Sequence, residues 1–109
     1  MAKKNKKNTF KVTISNETIF IRNEDDFLMT EVDGEAVVMN IINGSYWGLN
    51  NTTTEIWNFL EKKASLQEII NMLLGTYEVE EATCRQETLR VIITMLQLNI
   101  LKVETKVEA

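Results

Sequence analysis

The chain has 109 residues, enough for one domain with a buried core and too few for two. Its 44% hydrophobic and 26% charged residues are typical of a soluble globular protein, and no apolar run approaches the roughly 20 residues of a transmembrane helix. It has no histidine and a single cysteine, Cys84, which excludes His-based triads, zinc fingers and disulfide frameworks. The N terminus shows no signal peptide, so we expect a cytoplasmic protein.

Charge is distributed unevenly along the chain. Five of the 12 basic residues lie within residues 1–11, which contain no acid. The remaining seven basic and 16 acidic residues leave a body with a net charge of −9. We predict a basic flexible tail over residues 1–11, one domain over residues 12–103 and a frayed C-terminal tail over residues 104–109. An acidic body disfavours nucleic-acid binding, which depends on Lys and Arg at the phosphates.

Strand patterns dominate the first half. Alternation at Phe10–Ile14 and β-branched residues at Thr18–Arg22 predict one or two short strands. Two hairpin dipeptides, Asp33-Gly34 and Asn43-Gly44, are typical of two-residue type I′ turns. They separate three further predicted strands: Phe27–Val32, Ala36–Ile42 and Ser45–Leu49. The middle strand is apolar on both faces, so Ser45–Leu49 is predicted to be an edge strand.

The second turn also predicts a register. A two-residue turn pairs Ile42 with Ser45 and points the backbone groups of every second residue toward the central strand. The backbone groups of Tyr46 and Gly48 then point outward, without partners.

Three helices are predicted after Asn50, where the apolar period changes to 3.6. Capping boxes at Thr52–Glu55 and Ser65–Glu68 begin the first two, and Gly75 is predicted to end the second in a left-handed conformation. The third begins near Glu80 and Glu81 and ends near Leu98, with Asn99 as a left-handed cap. The fold class is therefore α+β, a three-stranded antiparallel sheet followed by three helices.

The third helix carries two apolar stripes. One contains Leu89, Ile92, Ile93 and Leu96, and the other contains Cys84, Thr88, Val91, Met95 and Leu98. Either both stripes pack inside the domain, or part of the second lines a groove beside the edge strand.

The sequence contains no recognisable set of catalytic residues. The acid pairs Asp25-Asp26 and Glu80-Glu81 suit a solvated loop and a helix start, and Cys84 has no histidine to activate it. Trp47 and Trp57 are interpreted as core residues. We therefore predict no catalytic residue, no metal ligand and no cofactor, and interpret the chain as a binding module rather than an enzyme.

The segment from Asp33-Gly34 to Leu60 resembles a known family. After an apolar strand it reads Gly44-Ser45-Tyr46-Trp47-Gly48-Leu49-Asn50, followed by Thr52 and by Ile56-Trp57. This pattern is similar to the PqqD-like recognition elements of ribosomally made, modified peptides (RiPPs), and most of all to the free-standing B1 proteins of lasso-peptide biosynthesis. The resemblance covers about Phe27 to Val103. The chain departs from the family pattern at Thr53 or Thr54, Thr88 and Asn99.

The resemblance implies a winged helix-turn-helix-like domain that acts as a chaperone for a precursor peptide. The leader would add as a strand to the third strand and lie against the third helix, and it would then be delivered to a B2-type cysteine protease and a macrolactam-forming cyclase. The implied peptide-binding residues are Ser45, Tyr46, Trp47, Gly48, Leu49, Arg85, Thr88, Val91, Ile92 and Met95.

Two alternatives stay open at this point. A winged-helix DNA-binding regulator has a similar element order, although its recognition helix should be basic and the last helix here offers only Arg85 and Arg90. The same recognition fold could also serve a sactipeptide, PQQ-type or other precursor.

Overall fold

The computed structural model describes residues 13–33 and 35–104. The elements in chain order are β1 Ile19–Arg22, β2 Phe27–Val32, β3 Glu35–Asn40, β4 Tyr46–Gly48, α1 Asn51–Phe59, β5 Ala64–Ser65, α2 Leu66–Thr76, α3 Glu81–Gln97 and β6 Leu101–Val103. The predicted α+β class, with an antiparallel sheet followed by three helices, is confirmed. The predicted tail over residues 1–11 lies outside the described residues, as do residues 105–109 of the C-terminal tail.

The strands form two three-stranded antiparallel sheets. One, here called the wing sheet, has the order β2-β3-β4, and the other has the order β5-β1-β6. In the second sheet Phe20 of β1 pairs with Ala64 on one side and Val103 on the other. The sequence does not predict β5 and β6, because strands of two or three residues show no alternation and form only through pairing with β1. Thr13 and Ile14, the described end of the predicted strand Phe10–Ile14, belong to no strand.

The first wing hairpin forms as predicted. Val32 pairs with Glu35, which leaves a two-residue turn, and Asp33 has a φ of 54°. A type I′ turn requires this left-handed conformation, and aspartate tolerates it better than most residues.

The second wing hairpin differs from the prediction. Val38 pairs with Trp47 and Met39 with Tyr46, so the loop has four residues, 41–44, and the predicted pairing of Ile42 with Ser45 is wrong. Asn40 ends β3 early: its side-chain oxygen accepts hydrogen bonds from the backbone N–H of Ile42 at 2.8 Å and of Asn43 at 3.2 Å. Asparagine commonly competes with a strand ladder in this way.

Two predicted helix ends are wrong, each for a local reason. Asn50, not Thr52, caps α1, because its side-chain oxygen accepts a hydrogen bond from the Thr53 N–H at 2.8 Å. Gly75 stays helical, and α2 continues to Thr76 and ends where Tyr77 turns extended with a φ of −122°.

Other helix ends agree with the sequence analysis. The capping box of Ser65 and Glu68 begins α2, with both reciprocal hydrogen bonds present. Asn99 follows α3 with a φ of 65°, and this reversal lets the Ile100 N–H donate to the Met95 carbonyl at 2.9 Å. The chain then enters β6.

The core lies between the helices and both sheets. Phe20, Ile56, Ile69, Ile70 and Ile92 are fully buried, so β1 and all three helices contribute to one apolar cluster. Burial of this kind stabilises the fold by about 1.5 to 3 kcal/mol for each large side chain. None of the helices in residues 13–33 and 35–104 has the length and apolar character that a membrane crossing needs.

Candidate functional site

Strand β4 forms one edge of the wing sheet. The carbonyl of Ser45 accepts a hydrogen bond from the Asn40 N–H at 2.8 Å, and the Leu49 N–H donates to the Ala36 carbonyl at 2.9 Å. Because successive residues of a strand direct their backbone groups to opposite sides, those of Tyr46 and Gly48 point away from β3. This direction agrees with the sequence analysis although the register does not, since both registers keep Ser45 and Leu49 on the inner side.

The side chains of β4 have different environments. Tyr46 is 70% exposed, whereas Trp47 is half-buried, with its ring centroid 6.0 Å from that of Phe27. Gly48 is exposed, and a Cβ at this position would meet nothing within 4 Å. Trp47 therefore packs against Phe27 and the core cluster, while Tyr46 and Gly48 leave the strand edge accessible.

Helix α3 places most of its predicted site residues in the core. Thr88 is 1% exposed, Met95 2% and Ile92 0%, whereas Val91 and Arg85 are half-buried. The buried stripe combines Cys84, Thr88 and Met95 of one predicted stripe with Ile92 of the other, while Ile93 is 43% exposed. Both predicted stripes are thus offset, and Thr88, one of the implied peptide-binding residues, lies in the core and not on a free helical face. The helix is rotated because it packs on α2 and also contacts β6.

Arg85 is not brought to β4. Its guanidinium donates to the side-chain oxygens of Asn16 at 2.6 Å and Gln67 at 3.1 Å, and it lies 3.7 Å from the Glu81 carboxylate. These partners belong to the segment before β1, to α2 and to the first turn of α3. Arg85 therefore joins α3 to α2 and to the N-terminal segment, and none of its partners is a predicted site residue.

A pocket of about 180 Å³ lies between the start of α1, which follows β4 after two residues, the end of α2 and the start of α3. Its lining residues come from α1, α2, the α2–α3 connection and α3: Thr52, Leu73, Tyr77, Val79, Cys84, Glu87 and Thr88. Sequence analysis predicted only Thr88 among them. Tyr77 and Val79 were not predicted because they lie in an aperiodic connection, and only the structure shows them 38% and 39% exposed.

The site suits binding rather than catalysis. Cys84 is buried, and its sulfur lies 3.8 Å from the Thr88 hydroxyl, a group that does not activate a thiol. In the described part of the chain, no group of three or more His, Cys, Asp and Glu residues is arranged to hold a metal ion. In general, an accessible strand edge can bind an extended peptide through backbone hydrogen bonds, and an apolar pocket can anchor one of its side chains.

Comparison with solved structures finds the same fold in two proteins. One is TbiB1 in complex with the TbiA(beta) leader peptide, with a TM-score of 0.66 and 20% identity, covering 81% of this chain and 100% of that one. The other is a lasso peptide synthetase B1 complexed with the leader peptide, with a TM-score of 0.66 and 20% identity over 76% of this chain and 96% of that one. No curated protein sequence matches the chain significantly.

Most of the domain matches a known protein family. Residues 35–101 match the family described as coenzyme PQQ synthesis protein D (PqqD). The matched segment begins at the first residue of β3 and includes β4, all three helices and the first residue of β6. The predicted PqqD-like resemblance is confirmed, and the chain belongs to the PqqD family.

Proposed function

We propose that this protein binds the leader of a ribosomally made precursor peptide, which adds as a strand to β4. The observation that carries the proposal is the accessible edge of β4, where the backbone groups of Tyr46 and Gly48 point away from β3. An added strand pairs with such groups, so the main chain provides affinity and nearby pockets provide sequence selectivity.

The pocket at the start of α3 is consistent with this orientation. A leader strand on β4 would run past the pocket at the start of α3, where Cys84 and Thr88 form part of the wall. Half-buried Val91 continues that wall along the helix. The ten residues predicted to bind peptide thus divide into an accessible strand (Ser45–Leu49), a helical wall made mainly of core residues, and Arg85, which we exclude.

The comparisons with known proteins also support leader binding. The two solved structures compared above are of B1 proteins in complex with a leader peptide. We therefore propose that this chain, too, is a binding protein without catalytic activity. It would act in the cytoplasm in lasso-peptide biosynthesis and present the leader-bound precursor to a B2-type cysteine protease and a macrolactam-forming cyclase.

Binding can be measured with synthetic peptides that cover the N-terminal parts of short reading frames next to the gene. We expect one labelled peptide to raise its fluorescence anisotropy with the protein, and Tyr46→Pro to weaken that binding by about 1 to 3 kcal/mol, the cost of an unsatisfied hydrogen-bonding group. Tyr46→Ala is the matched control, because it removes the same ring and keeps the backbone N–H. Circular dichroism establishes that both variants fold.

Two results would contradict the proposal. If Tyr46→Pro and Tyr46→Ala bound the peptide equally well, the leader would not pair with β4. Sub-micromolar, salt-sensitive binding of duplex DNA by protein lacking residues 1–11 would favour the DNA-regulator alternative. We expect no such binding, because α3 exposes few cations and Arg85 is already paired.

A further inference from the structure

The pocket at the start of α3 contains one charged side chain. Glu87 is exposed at its rim, while the other six lining residues are uncharged. Within residues 13–33 and 35–104 the Glu87 carboxylate has no ion pair and no hydrogen bond. The pocket therefore combines apolar walls with a carboxylate free to bind a cation.

The charge of the wing sheet and α1 also favours a cationic ligand for this pocket. Residues 23–61, which form the wing sheet and α1, contain eight acidic residues and no Lys or Arg. Glu24 and Asp25 are paired with Arg22 and Lys102, and the other six have no ion-pair partner in the described chain. The nearby cation Arg85 is turned toward Asn16 and Gln67. The wing sheet and α1 therefore carry an excess of negative charge, which attracts cationic segments.

We propose, on the basis of the leader-binding function above, that this pocket receives a lysine or arginine side chain of the leader. The methylene stem lies against Leu73, Tyr77 and Val79, and the cationic end meets the Glu87 carboxylate. Lysine and arginine bury their methylene stems on apolar surface while keeping the charged group at a polar rim. This pocket has apolar walls and a carboxylate at its rim, so it matches such a side chain. An apolar side chain of similar size would shield Glu87 from water without giving it a partner, and that carries a free-energy cost.

The proposal is tested by selecting displayed random 12-residue peptides on the protein and on its Glu87→Lys variant. We expect the parent to enrich peptides with Lys or Arg at one fixed position of a shared motif. The variant should enrich Asp or Glu at the same position and keep the rest of the motif. A common motif without a basic residue, or one unchanged by Glu87→Lys, would overturn the pocket assignment while leaving leader binding intact. Failure to enrich any peptide would count against both.

A titration of one enriched peptide gives the magnitude. Glu87→Gln, or Gln in place of the basic peptide residue, should each weaken binding roughly tenfold, typical of one charge-assisted contact. Combining both changes should cost no more than either alone, because they remove the same contact. Glu61→Gln is the matched control: it removes the same charge at the far end of α1 and should leave affinity within about twofold. Additive losses, or equal losses in Glu61→Gln, would show a general charge effect and contradict a specific contact.

Discussion

The two sides of the proposed groove are built differently. Strand β4 is a three-residue edge with a 70% exposed tyrosine, and it offers main-chain groups that depend little on side-chain identity. Helix α3 offers side chains, but its residues nearest the groove, Cys84 and Thr88, are also core residues. A substitution on β4 can therefore separate binding from folding, whereas a substitution on the inner face of α3 changes both.

The sharpest contrast lies within β4 itself. Trp47→Pro should unfold the domain or cost about 3 kcal/mol or more, because it removes a backbone donor facing β3 and the ring packed near Phe27. Tyr46→Pro, one residue earlier, should leave the thermal midpoint close to that of the parent. Chemical denaturation followed by circular dichroism compares the two. Equal losses in both variants would mean that β4 does not alternate as described.

A large residue on the helical side should affect stability before it affects binding. Thr88→Trp places a bulky ring at a position only 1% exposed, and we expect a loss of about 1 to 3 kcal/mol or more from overpacking. Thr88→Val, which keeps the shape, is the control and should cost about 1 kcal/mol. If Thr88→Trp kept full stability and lost only peptide binding, Thr88 would belong to the groove surface instead of the core.

Substitutions at the end of α3 should have a smaller effect on stability. Asn99 has a φ of 65° and turns the chain toward β6, so Asn99→Ala should cost about 1 kcal/mol of unfolding free energy. Asn99→Gly should be neutral or slightly stabilising, because glycine adopts this conformation without strain. Urea denaturation midpoints distinguish them, and an Ala variant as stable as the Gly variant would contradict a strained turn.

The smallest effect is expected on the open strand. Gly48 has no positive φ, and an added Cβ meets nothing within 4 Å, so Gly48→Ala should stabilise the free protein by about 0.4 to 1 kcal/mol. Thermal unfolding gives the sign. A clear destabilisation would show that the strand needs a glycine conformation at this position.

Local sequence determined much of this molecule. Asp33-Gly34 specified a two-residue hairpin, Ser65 and Glu68 specified the start of α2, and Asn99 specified the end of α3. Each depends on groups within a few residues, whose preferences act before any tertiary contact forms. The exposed edge at β4 was also predictable from the sequence, because the preceding strand is apolar on both faces and therefore lies in the middle of the sheet.

Tertiary packing decided the rest. Strands β5 and β6 exist because β1 pairs with both, and no local pattern marks a strand of two or three residues. The rotation of α3, which buries Thr88 and turns Arg85 toward Gln67, depends on how its apolar surface is shared among its neighbours. The periodicity of a helical sequence shows which faces are apolar. The orientation of the helix in the fold depends on contacts between residues far apart in the chain, such as the hydrogen bond between Arg85 and Asn16.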